Sequence, residues 1–127
     1  MTTAEARYAH LVADPLAVRW EMSATGAITS ISPSVLAARG FTPEQAAAQG
    51  IDEIHPPDSM RDSLAYFERF SYALLEGRVP EPFEGELEYW CADGSAAPFA
   101  VVALPIVDDS GAVIGLRGVS APVAHVR

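Results

Sequence analysis

Hydrophobic and polar residues alternate most regularly between residues 82 and 120. From Phe83 to Cys91, apolar side chains alternate with glutamates, which is the pattern of a strand with one buried face. The Asp93-Gly94 dipeptide suits a tight hairpin turn, and an apolar stretch rich in β-branched residues follows over residues 99–107. A second turn over residues 108–111 leads to another apolar stretch over residues 112–120. The pattern predicts an antiparallel meander of three strands.

The N-terminal part of the chain predicts a helix and a hairpin. Thr2 and Glu5 have capping-box spacing at the start of a helix over residues 2–13. The apolar stripe of this helix consists of Ala4, Tyr8, Leu11 and Val12. The stripe could pack on the chain's own sheet or against the same helix of a second copy, and the sequence does not choose between these. Strands over residues 18–23 and 27–31 flank a turn at Thr25-Gly26.

The pattern changes to helical periodicity between residues 33 and 77. Short helical segments over residues 34–39, 42–49 and 51–54 precede a long helix over residues 58–76. The predicted fold class is therefore α+β: a five-stranded antiparallel sheet, with the short helices and the long helix packed on one face. We divide the chain into an N-terminal amphipathic helix (residues 1–15), one domain (16–120) and a C-terminal tail (121–127).

Composition and charge exclude several classes of partner. The chain has 127 residues, half of them apolar, which is enough for one ordinary core. Its net charge of −9 argues against nucleic acid and anionic membranes. The single Cys91 cannot form an internal disulfide, and no apolar run is long enough to span a bilayer. With no secretory signal at its N-terminus, the protein is expected to be cytoplasmic.

The residue types that usually carry catalysis or bind metals do not form a recognisable cluster. His10 and His125 lie in the terminal segments, and His55 precedes the long helix, where a structural hydrogen bond is its simplest role. The alternating glutamates after Phe83 are expected to form a solvated strand face. No nucleophile elbow and no phosphate-binding glycine loop is present. We therefore predict no catalytic residues and no metal site.

Several local motifs, in order, resemble the PAS sensor-domain family, particularly the bacterial S-box members that precede histidine kinase or diguanylate cyclase domains. The motifs are Gly26-Ala27-Ile28 with Ser32-Pro33-Ser34, then Gly40-Phe41-Thr42-Pro43-Glu44-Gln45, Ile54-His55-Pro56-Pro57-Asp58, Ala92-Asp93-Gly94-Ser95, and Gly115-Leu116-Arg117-Gly118-Val119-Ser120. The resemblance covers about residues 16 to 120. The sequence departs from the family's pattern at two places. Pro57 stands where relatives usually carry an acidic residue, and residues 120–127 stand in place of the usual Asp-Ile-Thr ending.

The resemblance also bears on cofactors. The haem-binding branch uses a histidine on the long helix, and residues 58–76 contain none, so haem is not expected. The flavin photoreceptor branch places a reactive cysteine before that helix, whereas Cys91 ends a strand. We predict no cofactor, with a non-covalent flavin stacked on Trp20 or Trp90 as an alternative.

The interior between sheet and helices is the candidate ligand pocket, because family members often bind a small molecule there. Its predicted lining is Ile28, Ile31, Leu36, Phe41, Leu64, Phe67, Tyr89, Val102, Leu104 and Leu116. These side chains either fill the space or surround a ligand, and the absence of an evident interior polar pair favours a nearly filled core.

The strand over residues 99–107 is apolar on both faces, so its outer face must also be covered. We predict a homodimer or partner contact through this outer face and the stripe of the N-terminal helix. The predicted interface residues are Ala4, Tyr8, Leu11, Val12, Trp90, Phe99, Val101 and Ala103.

The sequence thus predicts a non-enzymatic PAS sensory or interaction module in bacterial signal transduction. A homodimer is expected, with a partner or output domain such as a histidine kinase or a diguanylate cyclase. The alternatives are a PAS module with a non-covalent flavin and a small α+β enzyme of the isomerase type. The enzyme would need an ionisable dyad inside the cavity.

Overall fold

The structure of the protein is a computed structural model that describes residues 2–126. Its elements, in chain order, are α1 (Thr3–Val12), β1 (Val18–Ser23), β2 (Ile28–Ile31), α2 (Val35–Arg39), α3 (Pro43–Ala47), α4 (Ile51–Ile54), α5 (Pro57–Leu75), β3 (Phe83–Trp90), β4 (Ala96–Val107), β5 (Val113–Pro122) and α6 (Val123–Val126). The five strands form one antiparallel sheet, which confirms the predicted α+β class.

The two predicted groups of strands join through β1 and β5. The spatial order is β2-β1-β5-β4-β3, so β5 is the central strand. Trp20 on β1 pairs with Gly118 on β5, and Val101 on β4 pairs with Ser120 on β5. The chain beyond β5 continues into α6, so the predicted boundary at residue 120 falls inside this central strand.

The long helix α5 packs on one face of the sheet, which we call the helix side. Tyr66 and Phe70 are buried there against Ala103 and Leu116. The helix starts one residue earlier than predicted, with Pro57 in its first turn and Pro56 as its N-cap. Asp58, where the predicted helix begins, follows the proline in the first helical position and pairs with Arg61 at the exposed surface.

The N-terminal helix α1 packs on the opposite face of the sheet, which we call the α1 side. Its capping box between Thr2 and Glu5 is formed as predicted. Leu11 is 1% exposed and packs in one cluster with Val102 and Leu104. Of the two arrangements that the sequence left open, the structure shows the helix on the chain's own sheet.

The polar residues on the α1 side include glutamates of the edge strand β3. Glu84 and Glu88 are exposed, as expected for a solvated strand face. Within residues 2–126 no helix is long and apolar enough to cross a membrane.

Candidate functional site

A cavity of about 100 Å³ lies between the helix side of the sheet and the helices. Its walls come from β1, β2, the three meander strands and all four helices from α2 to α5. The lining residues are Trp20, Met22, Ile28, Ile31, Arg39, Ala46, Ile54, His55, Ser63, Tyr66, Phe67, Phe83, Leu87, Tyr89, Val101, Ala103 and Leu116. Most of these side chains are apolar or aromatic, and none is acidic. The cavity therefore suits a small and largely apolar occupant.

Trp20 forms the part of the wall that connects the cavity to the central strand. Its ring lies directly over Gly118, where any Cβ atom would overlap the indole. Its Nε1 donates a hydrogen bond to the Ser120 hydroxyl at 3.1 Å. The absence of a side chain at residue 118 is therefore what lets the indole lie flat against β5.

Tyr89 shares the same serine. Its hydroxyl is 2.7 Å from Ser120 Oγ, and the serine is 3% exposed. Burial raises the pKa of the Tyr89 phenol, so the group is a neutral hydrogen-bonding partner. The hydrogen bonds of Trp20 and Tyr89 to Ser120, the first part-buried and the second buried, thus tie two walls of the cavity to the central strand.

Arg39 is a buried polar group of the cavity wall. It is 6% exposed at the end of α2, and its guanidinium lies 5.1 Å from the ring centroid of Phe41 and 5.3 Å from that of Tyr89. Its Nε and Nη2 donate to the Trp90 carbonyl at 3.0 and 2.8 Å. Nη2 also donates to the Gln49 side-chain oxygen at 3.0 Å. Burial lowers the pKa of Arg39, although an arginine remains charged at any physiological pH.

His55 also lies against the Tyr89 ring, with the two ring centroids 4.6 Å apart. Its Nδ1 is 2.8 Å from the Glu88 carbonyl, which only accepts, so Nδ1 carries the hydrogen and Nε2 the lone pair. Burial lowers the pKa of His55, the hydrogen bond to Glu88 opposes this, and the charge of Arg39 lowers it further. The structural hydrogen bond expected of His55 is present, and the ring also lines the cavity.

The predicted pocket residues divide into those that line this cavity and those that do not. Ile28, Ile31, Phe67, Tyr89 and Leu116 line it. The other five predicted residues, Leu36, Phe41, Leu64, Val102 and Leu104, are outside it.

Leu36 and Leu64 lie at the surface, where they are 55% and 48% exposed. Phe41 is half-buried and packs beside Val35 and Ala46, outside the cavity lining. Leu36 lies on a helix of little more than one turn, so the sequence could not show whether it faces inward. Leu64 lies on the long helix α5, away from the face that buries Tyr66 and Phe70.

Val102 and Leu104 were predicted on the wrong face of the sheet. They lie on the α1 side, whereas Val101 and Ala103, predicted on the outer face, line the cavity. A two-residue Asp93-Gly94 turn would pair Leu87 with residue 100 and bring Val102 onto the cavity face. The observed loop has three residues, 92–94, so Leu87 pairs with Phe99. A change of one residue in register reverses the face of every side chain on the strand.

Most of the predicted interface residues are buried in the chain's own core. Phe99, Val101 and Ala103 are each 3% exposed or less on the helix side. Ala4 and Leu11 are buried between α1 and the sheet. The remaining predicted interface residues, Tyr8, Val12 and Trp90, are half-buried. These residues cover the chain's own core, so they do not form a free surface for a second copy.

Arg39 and His55 are two of the cavity residues that the sequence did not assign to the pocket. Arg39 follows four apolar residues in a helix of five, where helical periodicity carries almost no information about facing. The Ile54-His55-Pro56 motif placed His55 at the entry of α5 but not beside the cavity. In the part of the chain that the structure describes, no group of three or more His, Cys, Asp or Glu side chains could hold a metal ion.

Comparison with solved structures identifies the fold. The PAS domain of a protein from Colwellia psychrerythraea matches 99% of this chain and 100% of that chain, with a TM-score of 0.67 and 17% identity. The N-terminal domain of a diguanylate cyclase with a PAS/PAC sensor, from Marinobacter aquaeolei, matches 84% of this chain and 94% of that chain, with a TM-score of 0.63 and 20% identity. Neither a family model nor a curated protein matches the sequence. The chain has the PAS fold, as its motifs predicted.

Proposed function

We propose that the chain is a non-enzymatic PAS sensory module in bacterial signal transduction, which binds a small molecule in its interior cavity. The observation that carries this proposal is the cavity itself, since close-packed cores leave few voids larger than a water molecule. A comparable apolar cavity of about 150 Å³ in another protein binds benzene. A cavity of about 100 Å³, not fully closed by its walls, suits a ligand of similar size.

The size of the cavity argues against the flavin alternative. Pockets for drug-sized ligands usually enclose about 300–1,000 Å³, and a flavin ring system is a ligand of that kind. Trp20 lies in the wall, as stacking would need, but its ring is held against Gly118 and hydrogen-bonded to Ser120. The arrangement favours a ligand much smaller than a flavin.

The ionisable groups around the cavity support a non-enzymatic role. An isomerase would need an acid and a base that exchange protons near neutral pH. Arg39 stays protonated, and burial raises the pKa of Tyr66 to about 12 and that of Tyr89 above its usual value. Of Arg39, Tyr66, Tyr89 and His55, only His55 is left to exchange a proton. None of the residues that line the cavity is acidic.

The signal would leave through the central strand. A ligand that moves Trp20 or Tyr89 acts on Ser120, to which both are hydrogen-bonded. Ser120 lies on β5, which leads directly into α6. The diguanylate cyclase named for one structural neighbour supports an output domain or partner of that kind, and a histidine kinase is the alternative. A homodimer of such modules would be built from surface other than the α1 stripe, which is occupied by the chain's own sheet.

Filling the cavity is expected to abolish ligand binding. Ala103 lines the cavity from β4 and is 3% exposed, so Ala103→Leu would place its larger side chain in the ligand's space. Binding of toluene, a neutral probe of suitable size, can be measured by the rise in melting temperature and by calorimetry. Toluene should stabilise the wild-type protein saturably and should leave Ala103→Leu unchanged.

The matched control is Ala37→Leu, which adds the same atoms at an exposed position on α2. This variant should bind toluene like the wild-type protein. The proposal is contradicted if toluene and benzoate both fail to bind the wild-type protein, or if Ala103→Leu binds toluene with unchanged affinity.

A further inference from the structure

The cavity wall contains a buried positive charge that has no anionic partner among residues 2–126. Arg39 donates only to neutral oxygens, those of Trp90 and Gln49. The ion pairs found among residues 2–126 are Arg61 with Asp58, Arg78 with Glu76, and His125 with Asp14. Burying a charge is costly unless it is paired, so a buried guanidinium without a carboxylate favours an anion close by.

Part of this guanidinium remains available for a ligand. Nε and Nη2 make the hydrogen bonds to Trp90 and Gln49, and Nη1 donates to no group in the described chain. No buried side-chain nitrogen or oxygen among residues 2–126 lacks a partner, so Nη1 is not sealed inside packed protein. Arg39 is 6% exposed in total and lines the cavity, and we take its Nη1 to face that cavity.

The neighbouring His55 contributes a second polar position without a second charge. Its ring is 6% exposed and, with Nδ1 bound to the Glu88 carbonyl, its unpartnered Nε2 is a neutral acceptor. Arg39 and His55 lie against the same Tyr89 ring, so the cavity has one polar corner. The rest of its wall is apolar and includes the rings of Trp20 and Phe67.

We infer that the ligand of this cavity is a small aromatic monocarboxylate, whose carboxylate accepts hydrogen bonds from Arg39 Nη1 while its ring lies among the apolar wall residues. The inference rests on the proposed function, since it names the ligand class of the same cavity. One carboxylate matches the single fixed charge of the wall, and a second one would have no cation to pair with. A planar ring suits the aromatic side chains that supply much of the remaining surface.

Benzoate and benzamide test the charge directly on the wild-type protein, because they have nearly the same shape and differ in charge. A hydrogen bond between a guanidinium and a carboxylate is stronger than one to a neutral amide oxygen, because both partners are charged. We expect benzoate to bind about tenfold more tightly than benzamide, as measured by calorimetry. Equal affinities, or tighter binding of benzamide, would overturn the inference.

The variant Arg39→Gln assigns the preference to this side chain. It keeps N–H donors but removes the charge, and it should lose the preference for benzoate while still binding toluene. Arg61→Gln, at an exposed arginine on α5, is the matched control and should keep the preference. A preference that persists in Arg39→Gln would overturn the inference. If Arg39→Gln does not fold, the comparison of benzoate with benzamide on the wild-type protein still tests the inference.

The two proposals fail in different ways. If toluene binds the wild-type protein but benzoate is no better than benzamide, the cavity is a ligand site of neutral character, and only the inference about the carboxylate is lost. If neither toluene nor benzoate binds, the proposed function fails as well.

Discussion

Replacing Leu11 by alanine is expected to lower the free energy of unfolding by about 2–5 kcal/mol, the usual cost of truncating a fully buried leucine. Leu11 is 1% exposed and packs in the cluster that holds α1 on Val102 and Leu104. The truncation leaves a void on the α1 side of the sheet, which the surrounding β4 and β5 side chains cannot close. Urea unfolding followed by circular dichroism measures the loss.

Arg7→Ala is the control on the same helix, because Arg7 is exposed and should change the free energy of unfolding by no more than about 0.5 kcal/mol. The loss in Leu11→Ala should also be independent of protein concentration, since the contact lies within one chain. A loss below about 1 kcal/mol, or one that grows on dilution, would indicate that the stripe of α1 contacts a second copy instead.

Phe99→Ala is expected to cost about 3–5 kcal/mol, the range for removing a buried phenylalanine. Phe99 is 1% exposed on the helix side of β4, in one cluster with Leu87 and Val101. Its ring meets that of Tyr89 edge to face, with the centroids 4.9 Å apart. The substitution therefore removes both apolar packing and an aromatic pair behind the cavity wall.

The exposed Leu36 supplies the contrast for this prediction. It was assigned to the pocket from sequence but is 55% exposed on α2. Leu36→Ala should therefore cost less than about 0.5 kcal/mol. A cost of several kcal/mol for Leu36→Ala, with little loss for Phe99→Ala, would contradict the observed exposure of Leu36 and the observed burial of Phe99.

The fold was predictable because its strongest signals are local and repeated. Alternation along β1 and β3, and glycines at the turns, specify strands whatever they pack against. The motif resemblance then supplied the order of the elements. Whether α1 covers the chain's own sheet or a second copy was not predictable, because an amphipathic helix of ten residues satisfies the same pattern in both arrangements.

The site was harder to predict, for two physical reasons. Val101 and Val102 are equally apolar, so only the length of the 92–94 loop decides which of them faces the cavity. Arg39 and His55 are polar residues in segments too short to show a face, and polar residues in such segments are usually exposed. Their burial depends on tertiary contacts with Trp90 and Glu88 on β3, far away in the chain.

The most direct test of the account is to locate a bound small molecule inside the protein. Nuclear Overhauser effects between toluene protons and assigned methyl groups report contacts within a few ångströms. The account predicts saturable effects to Val101 and Leu116, which line the cavity, and none to Val102 and Leu104, on the other side of the same sheet. Effects confined to Val102 and Leu104, or no effects at saturating toluene, would contradict an interior ligand site on the helix side of this PAS fold.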